Sequence, residues 1–203
     1  MHPAIGAAVG YILGSIPFAY LAGRLTRGID LRQHGSGNLG ATNVYRTLGA
    51  KVALVVFLLD VLKGAAPVWL VLRYGRGDHI LAWAIGAGIA AIAGHAKPVF
   101  LLWRGGGKGV ATATGVFLAL APVPTLVAVA SWIAVVALSG YVSLGSLVAA
   151  LALPVAIAAL LGTHALVFPV SVAIALFVFW THRANIGRLR RGEEHRFGRK
   201  ASA

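Results

Sequence analysis

Apolar residues dominate seven stretches, at about 4–23, 52–72, 80–102, 109–121, 123–139, 143–161 and 165–181, and polar residues collect between them. A perpendicular crossing of a bilayer needs about 20 apolar residues, within a range of about 17 to 25. Most of these stretches reach that length, so the pattern predicts an all-α polytopic membrane bundle of seven transmembrane helices, forming a single membrane domain over 1–203. The fourth stretch is short and the fifth marginal. Pro122 and Pro124 should break the chain there, giving two short helices in place of one long one, and a five-helix count stays open. The first stretch has no Lys or Arg before it, so it lacks the basic start of a cleaved signal peptide and is expected to remain as a helix.

Charge sharpens this picture. Only 11% of the residues are charged and 59% are hydrophobic, where soluble domains are about 25% charged. The net charge of +13 does not point to nucleic acid, because no Lys, Arg, Asp or Glu lies between Lys108 and Arg183 and the bases sit in loops. Anionic lipid headgroups or phosphorylated substrates fit better. Arg24, Arg27, Arg32, Arg46 and Lys51 follow the first helix, Lys97, Arg104 and Lys108 surround the end of the third, and more bases follow the seventh. Basic loops stay in the cytoplasm. Seven crossings place these three regions on one side, with the N-terminus outside and the C-terminus cytoplasmic, against which only Arg73 and Arg76 stand. The absence of cysteine excludes disulfides and thiolate metal sites.

Three polar strings can carry chemistry. The first runs His34-Gly35-Ser36-Gly37-Asn38-Leu39-Gly40-Ala41-Thr42-Asn43-Val44-Tyr45-Arg46. Its Gly35, Gly37 and Gly40 match a dinucleotide fingerprint by letters, but that motif needs a strand before it and a membrane helix stands there. Glycines that let amides approach phosphate oxygens, with Arg46 as a bidentate clamp, remain; a merely flexible loop is the alternative. The second string, Gly94-His95-Ala96-Lys97-Pro98 and then Arg104 to Thr112, opens a helix. Gly109 occupies the Ser/Thr place of a Walker A motif, so ATP hydrolysis is not indicated. Amides at a helix start beside Lys108 still suit an anion, unless the segment is a tight turn whose bases meet lipid phosphate. In the third string His182 and Asn185 lie i to i+3 on one helix face, followed by Glu194; His182 can take or give a proton near neutral pH, and a snorkelling basic anchor is the other reading. Asp60 and Lys63, also i to i+3 inside an apolar stretch, are expected to form a structural ion pair.

Taken in order, Gly35 to Asn43 with Arg46, Gly94-His95 through Gly106-Gly107-Lys108-Gly109-Val110-Ala111-Thr112, and His182-Arg183 with Asn185-Ile186 and Glu194 make the chain resemble the bacterial PlsY-type membrane glycerol-3-phosphate acyltransferases over nearly its whole length. Departures are small: Gly105 extends the glycine run, and Ala96 and Lys97 fill variable places. The resemblance implies transfer of an acyl group from acyl phosphate to the 1-hydroxyl of sn-glycerol 3-phosphate. The products are lysophosphatidic acid and phosphate, the first acylation of bacterial phospholipid synthesis. It further implies a seven-helix bundle in the bacterial cytoplasmic membrane, an active site facing the cytoplasm, and neither acyl-CoA nor acyl-carrier protein as donor. No cofactor or metal is expected, although the histidines remain available as metal ligands.

On that reading Ser36, His182 and Asn185 are the expected catalytic residues. Gly37, Asn38, Thr42, Asn43, Arg46, Gly106, Gly107, Lys108, Gly109, Thr112 and Arg183 are expected to bind substrate or phosphate, with Asn43 and Asn185 orienting glycerol hydroxyls; Asp60, Lys63 and Glu194 are structural. Acyl phosphate already carries a good leaving group, so the enzyme chiefly positions two anions and offsets their repulsion. Ser36 is expected to hydrogen-bond rather than to become acylated, with a substrate phosphate taking the proton. A membrane transporter for an organic phosphate is the main competing reading. It would place more bases near the bilayer midplane than Lys63 alone. A purely structural membrane protein would leave Ser36, Asn38, Asn43 and Asn185 unexplained.

Overall fold

The computed structural model describes residues 2–197. They divide between two compact units, Met1–Leu120 and Ala121–Ala203, each described by itself.

The first unit contains α1 (Pro3–Gly14), α2 (Phe18–Arg27), α3 (Ala41–Leu48), α4 (Ala50–Tyr74), α5 (Ile80–Ala96) and α6 (Val110–Leu120). Helices in lipid associate by close packing, because tails are as apolar as leucine, and small residues permit the approach. The sequence supplies them in pairs. Gly10 and Gly14 of α1 lie against the backbone of Ala87 and Ala91 in α5, where a Cβ would overlap it, and Gly94 of α5 closes on Tyr11 in return. Gly115 of α6 and Gly64 of α4 make the same contact between those helices, against Val61 and Thr112. Leu54, Leu58, Leu62 and Trp69 of α4 face outward and exposed, as lipid-facing residues do. Beneath the loop between α2 and α3, the buried Leu31, Leu39, Val44, Ala53 and Val56 form a core that Phe18 and Tyr45 extend.

The second unit contains α7 (Pro122–Ser139), α8 (Val142–Leu161), α9 (Val167–Thr181) and α10 (Arg183–Arg191). Gly140 ends α7 in the left-handed conformation (φ 74°), and Gly145 lets α8 lie directly on Trp132. The segment after α10 returns to this turn. There the Phe197 amide donates to Gly140 O at 2.6 Å, and Arg196 donates to the Tyr141 hydroxyl at 3.0 Å.

The expected seven crossings are corrected by helix length. Among the described residues, five helical segments are long and apolar enough to span: Pro3–Arg27 (α1 with α2), Ala50–Tyr74, Ile80–Leu101, Pro122–Ser139 and Val142–Leu161. A sixth exists only if α9 and α10 are counted as one span across a 58° bend. Pro122 does end α6, as the sequence suggested, but leaves it with 11 residues. That is roughly 16 Å, half of an apolar core about 30 Å thick. At 15 residues α9 is also short before the chain turns at His182. The N-outside, C-inside orientation was argued from seven crossings, and that count no longer supports it. The bundle remains all-α and multi-pass.

Candidate active site

The first polar loop leaves α2 at Gly28 (φ 67°) and is organised by two buried side chains. Asp30 caps the short 3-10 turn Leu31–Gln33, accepting the Arg32 amide at 3.0 Å. The Arg32 guanidinium grips both carboxylate oxygens, its Nη2 at 2.6 Å, and Arg24 stands 3.6 Å away. Donation from Arg32, ahead of the opposing effect of burial, lowers the Asp30 carboxyl to about 2, and Asp30 raises Arg32 in return. Arg24 and Arg32 therefore have a structural partner.

Asn43, 2% exposed, does the rest. Its Oδ1 accepts the Ser36 amide at 2.8 Å, and its Nδ2 donates to His34 O at 3.0 Å and Leu31 O at 3.2 Å. Gly35 (φ 62°) presses so closely on this amide that a Cβ would overlap Asn43 Oδ1. Asn43 is a brace: both ends of its amide are bonded to the backbone, and it fixes where Ser36 stands. Ser36 itself is exposed, Gly37 is half-buried, and Thr42 lies four residues before the exposed Arg46 on the same face of α3.

The second loop is pinned to α1 and α5. Trp103 Nε1 donates to the Tyr11 hydroxyl at 2.7 Å, which donates to Lys97 O at 2.8 Å. Leu102 and Trp103 turn the chain with positive φ (51° and 60°), a conformation uncommon outside glycine. The two loops then meet. Gly106 O accepts both the Leu39 amide and Asn38 Nδ2, each at 3.2 Å, and Arg32 Nη1 donates to Arg104 O at 3.2 Å. Asn38 is thus a tie between strings that the sequence could only place 68 residues apart. Lys108 is half-buried, and Gly109 (φ 83°) is buried just before α6. Thr112 is wholly buried with its methyl toward Gly64. That places its methyl in the packing of α6 on α4.

Behind the second loop, the expected pair of Asp60 and Lys63 is present at 2.7 Å, and Lys63 also donates to Ile16 O at 2.8 Å. A third member, His95, has its Nδ1 3.7 Å from Asp60 Oδ1. The sequence reading gave His95 no role of its own. The signal available was a histidine at the end of an apolar helix directly before the glycine run, which would need a polar partner if buried.

In the second unit His182 stands at the bend between α9 and α10. Its Nδ1 lies 2.8 Å from Val178 O. A carbonyl only accepts, so Nδ1 carries the hydrogen and a neutral ring has Nε2 as its acceptor. Asn185 Nδ2 donates to Glu194 Oε1 at 2.7 Å, and the same carboxylate accepts Ser143 Oγ at 2.9 Å and Arg188 Nε at 2.6 Å. Burial pushes the Glu194 carboxyl up, but the donors Asn185, Ser143 and Arg188 outweigh it and hold it below its ordinary value. Arg183, expected among the binding residues, is exposed. It donates to Trp180 O at 3.1 Å and lies 4.9 Å over the Trp180 ring. Among the described residues no three His, Asp or Glu side chains gather as a metal site would require.

Comparison with known proteins places this arrangement. The model of the family described as glycerol-3-phosphate acyltransferase matches residues 4–192. The chain is 52% identical to the glycerol-3-phosphate acyltransferase of Synechococcus sp. (strain CC9902), over 97% of this chain and 96% of that protein. It is 46% identical to that of Geobacter sulfurreducens, over 97% and 98%. Among solved structures it is similar to the crystal structure of PlsY (YgiH), an integral membrane glycerol 3-phosphate acyltransferase. The glycerol 3-phosphate form matches with a TM-score of 0.87 at 38% identity, covering 97% of this chain and 96% of that one. The lysophosphatidic acid form matches with a TM-score of 0.84.

Proposed function

From a chain that belongs to the glycerol-3-phosphate acyltransferase family, we infer transfer of an acyl group from acyl phosphate to the 1-hydroxyl of sn-glycerol 3-phosphate, giving lysophosphatidic acid and phosphate. The competing transporter reading gives way to family membership. The family match runs through both units, 4–192, which supports one acyltransferase domain. Basic loops favour the cytoplasmic side of the bacterial inner membrane for the chemistry.

The observation that carries this reading is the junction at Gly106, which ties the glycine loop that contains Ser36 to the one that contains Lys108. Arg46 and Lys108 bind phosphate groups, helped by the amides of Gly37, Gly106, Gly107 and Gly109, while Thr42 flanks Arg46 on α3. Ser36, exposed and fixed through its amide by Asn43, offers its hydroxyl as a hydrogen-bond partner. Attack by the 1-hydroxyl oxygen on the acyl carbon forms the ester as the bond from that carbon to the phosphate oxygen breaks. The hydroxyl proton passes to a substrate phosphate. Fixed cations and amides act here by offsetting repulsion between two anions and stabilising charge on the leaving phosphate.

In this reading His182 aligns the attacking hydroxyl and Asn185 orients the glycerol hydroxyls, and bonds within the second unit hold both side chains in place. Val178 O holds His182 Nδ1 and Glu194 holds Asn185 Nδ2, which orients both side chains. The donor is tested by offering the purified protein palmitoyl phosphate, palmitoyl-CoA and palmitoyl acyl-carrier protein in turn with glycerol 3-phosphate. Lysophosphatidic acid is expected from palmitoyl phosphate alone; formation from either thioester at a similar rate would overturn the donor assignment.

A further inference from the structure

His95 is 6% exposed and sits on the last turn of α5, outside the groups given roles above. One edge of its ring turns Nδ1 toward Asp60 Oδ1 at 3.7 Å, beyond hydrogen-bond range but within electrostatic reach. Asp60 is itself held by Lys63, and Lys63 by Ile16 O, so the carboxylate is a fixed stop in a buried network. The opposite edge meets the glycine loop: a Cβ on Gly107 would overlap His95 Nε2 and the two ring carbons beside it. Gly107 does not have a positive φ, so its backbone tolerates a side chain, and the three atoms that a Cβ would meet first all belong to the imidazole. The loop also bonds to the same residue, since the Gly107 amide donates to His95 O at 3.1 Å. Next to Gly107 stand Gly106, which carries the junction to Asn38 and Leu39, and Lys108.

We propose that His95 is a positioning residue for the phosphate loop. Its ring, lodged between Asp60 and Gly107, sets how closely residues 105–109 lie on α5, and thereby where Lys108 and the loop amides stand. This deepens the phosphate-binding reading of that loop and rests on it. His95 touches no substrate; it acts through Gly107. A displacement of about 1 Å at a binding group is enough to lower turnover on the order of 100-fold, so a packing contact behind the loop can govern affinity in front of it.

The test uses the full chain in detergent, with His95→Ala, His95→Gln, Gly107→Ala and the double variant Gly107→Ala with His95→Ala. Gly107→Ala is expected to lower kcat/KM for glycerol 3-phosphate at least ~100-fold, because the new methyl meets the ring. His95→Ala lowers it about tenfold, chiefly through KM, and His95→Gln less, since it keeps bulk at the same place. The double variant recovers at least ~tenfold over Gly107→Ala alone, as the methyl occupies space the ring has left and restores a stop for the loop. Losses that multiply in the double variant would overturn the proposal. Hydrogen exchange decides it without turnover. Amides of residues 104–109 should exchange at least ~tenfold faster in His95→Ala while α4 is unchanged; unchanged loop exchange, or an equal rise in α4, contradicts the role. If the wild-type protein makes no lysophosphatidic acid, the functional reading fails while exchange still settles the place of His95.

Discussion

In the first unit the segment around Ser36 is held by backbone carbonyls, glycines and the amide of Asn43, with the Asp30 carboxylate at its start, whereas in the second unit Asn185 is held by one carboxylate, Glu194, which also takes Ser143 and Arg188. The two constructions fail differently. A surface built from close backbone approaches tolerates the loss of a single hydrogen bond, worth about 1 kcal/mol, but not an added carbon. A carboxylate with three donors tolerates neighbouring bulk but not its own removal, which leaves buried groups unpaired at about 1–3 kcal/mol each.

Gly106→Ala should show the largest effect. Its Cβ would run into the carbonyls of Ala96 and His95, and backbone cannot step aside as a side chain can. Initial rates should fall roughly 100-fold or more, as expected for about 1–3 kcal/mol of overpacking next to the binding groups. Near-normal rates would mean that the junction does not position the anion loops. Glu194→Ala should come next, with folded yield and thermal stability reduced by about 2–3 kcal/mol and activity falling as Asn185 loses its orientation. Ser143→Ala, which removes one donor and leaves the carboxylate with two, should reduce stability by about 1 kcal/mol. Asn38→Ala should be among the mildest, raising KM for glycerol 3-phosphate about threefold to tenfold, since the Leu39 amide still binds Gly106 O.

Acid pH gives the smallest and most selective contrast. Asp30 is lowered from 3.8 to about 2. A depressed carboxylate contributes stability that is complete above its unfolded value and fades as pH falls through the folded one. Melting curves of the wild type and Asp30→Asn should therefore differ above pH 4 and converge as pH approaches about 2. Glu194 is depressed in the same direction, with an ordinary value of 4.5, so its contribution also survives at neutral pH and is lost on acidification.

Much of this is legible in the sequence. Asp60 and Lys63 announced an ion pair because charge in an apolar helix needs a partner, and Pro122 marked the end of α6. The three polar strings, with their glycines and bases, pointed to anion chemistry. The crossing number was misread for a physical reason. Apolar composition identifies lipid-compatible helix but does not measure it, and α6 and α9 are apolar yet short. The roles of Asn43, Asn38 and His95 were hidden for another reason. Each acts on a backbone atom brought near by the fold, at Ser36, Gly106 and Gly107, and a sequence shows residue types rather than which carbonyl or amide lies opposite them.

The central claim, that Arg46 and Lys108 serve metal-free acyl transfer from acyl phosphate, is tested most directly by one assay. Phosphate and lysophosphatidic acid are measured together from palmitoyl phosphate and glycerol 3-phosphate, with and without EDTA, for the wild type and Arg46→Ala. Equal amounts of both products, unaffected by EDTA and reduced about 100-fold or more in the variant, are the predicted result. No lysophosphatidic acid from folded wild-type protein, or full activity in Arg46→Ala, would contradict it.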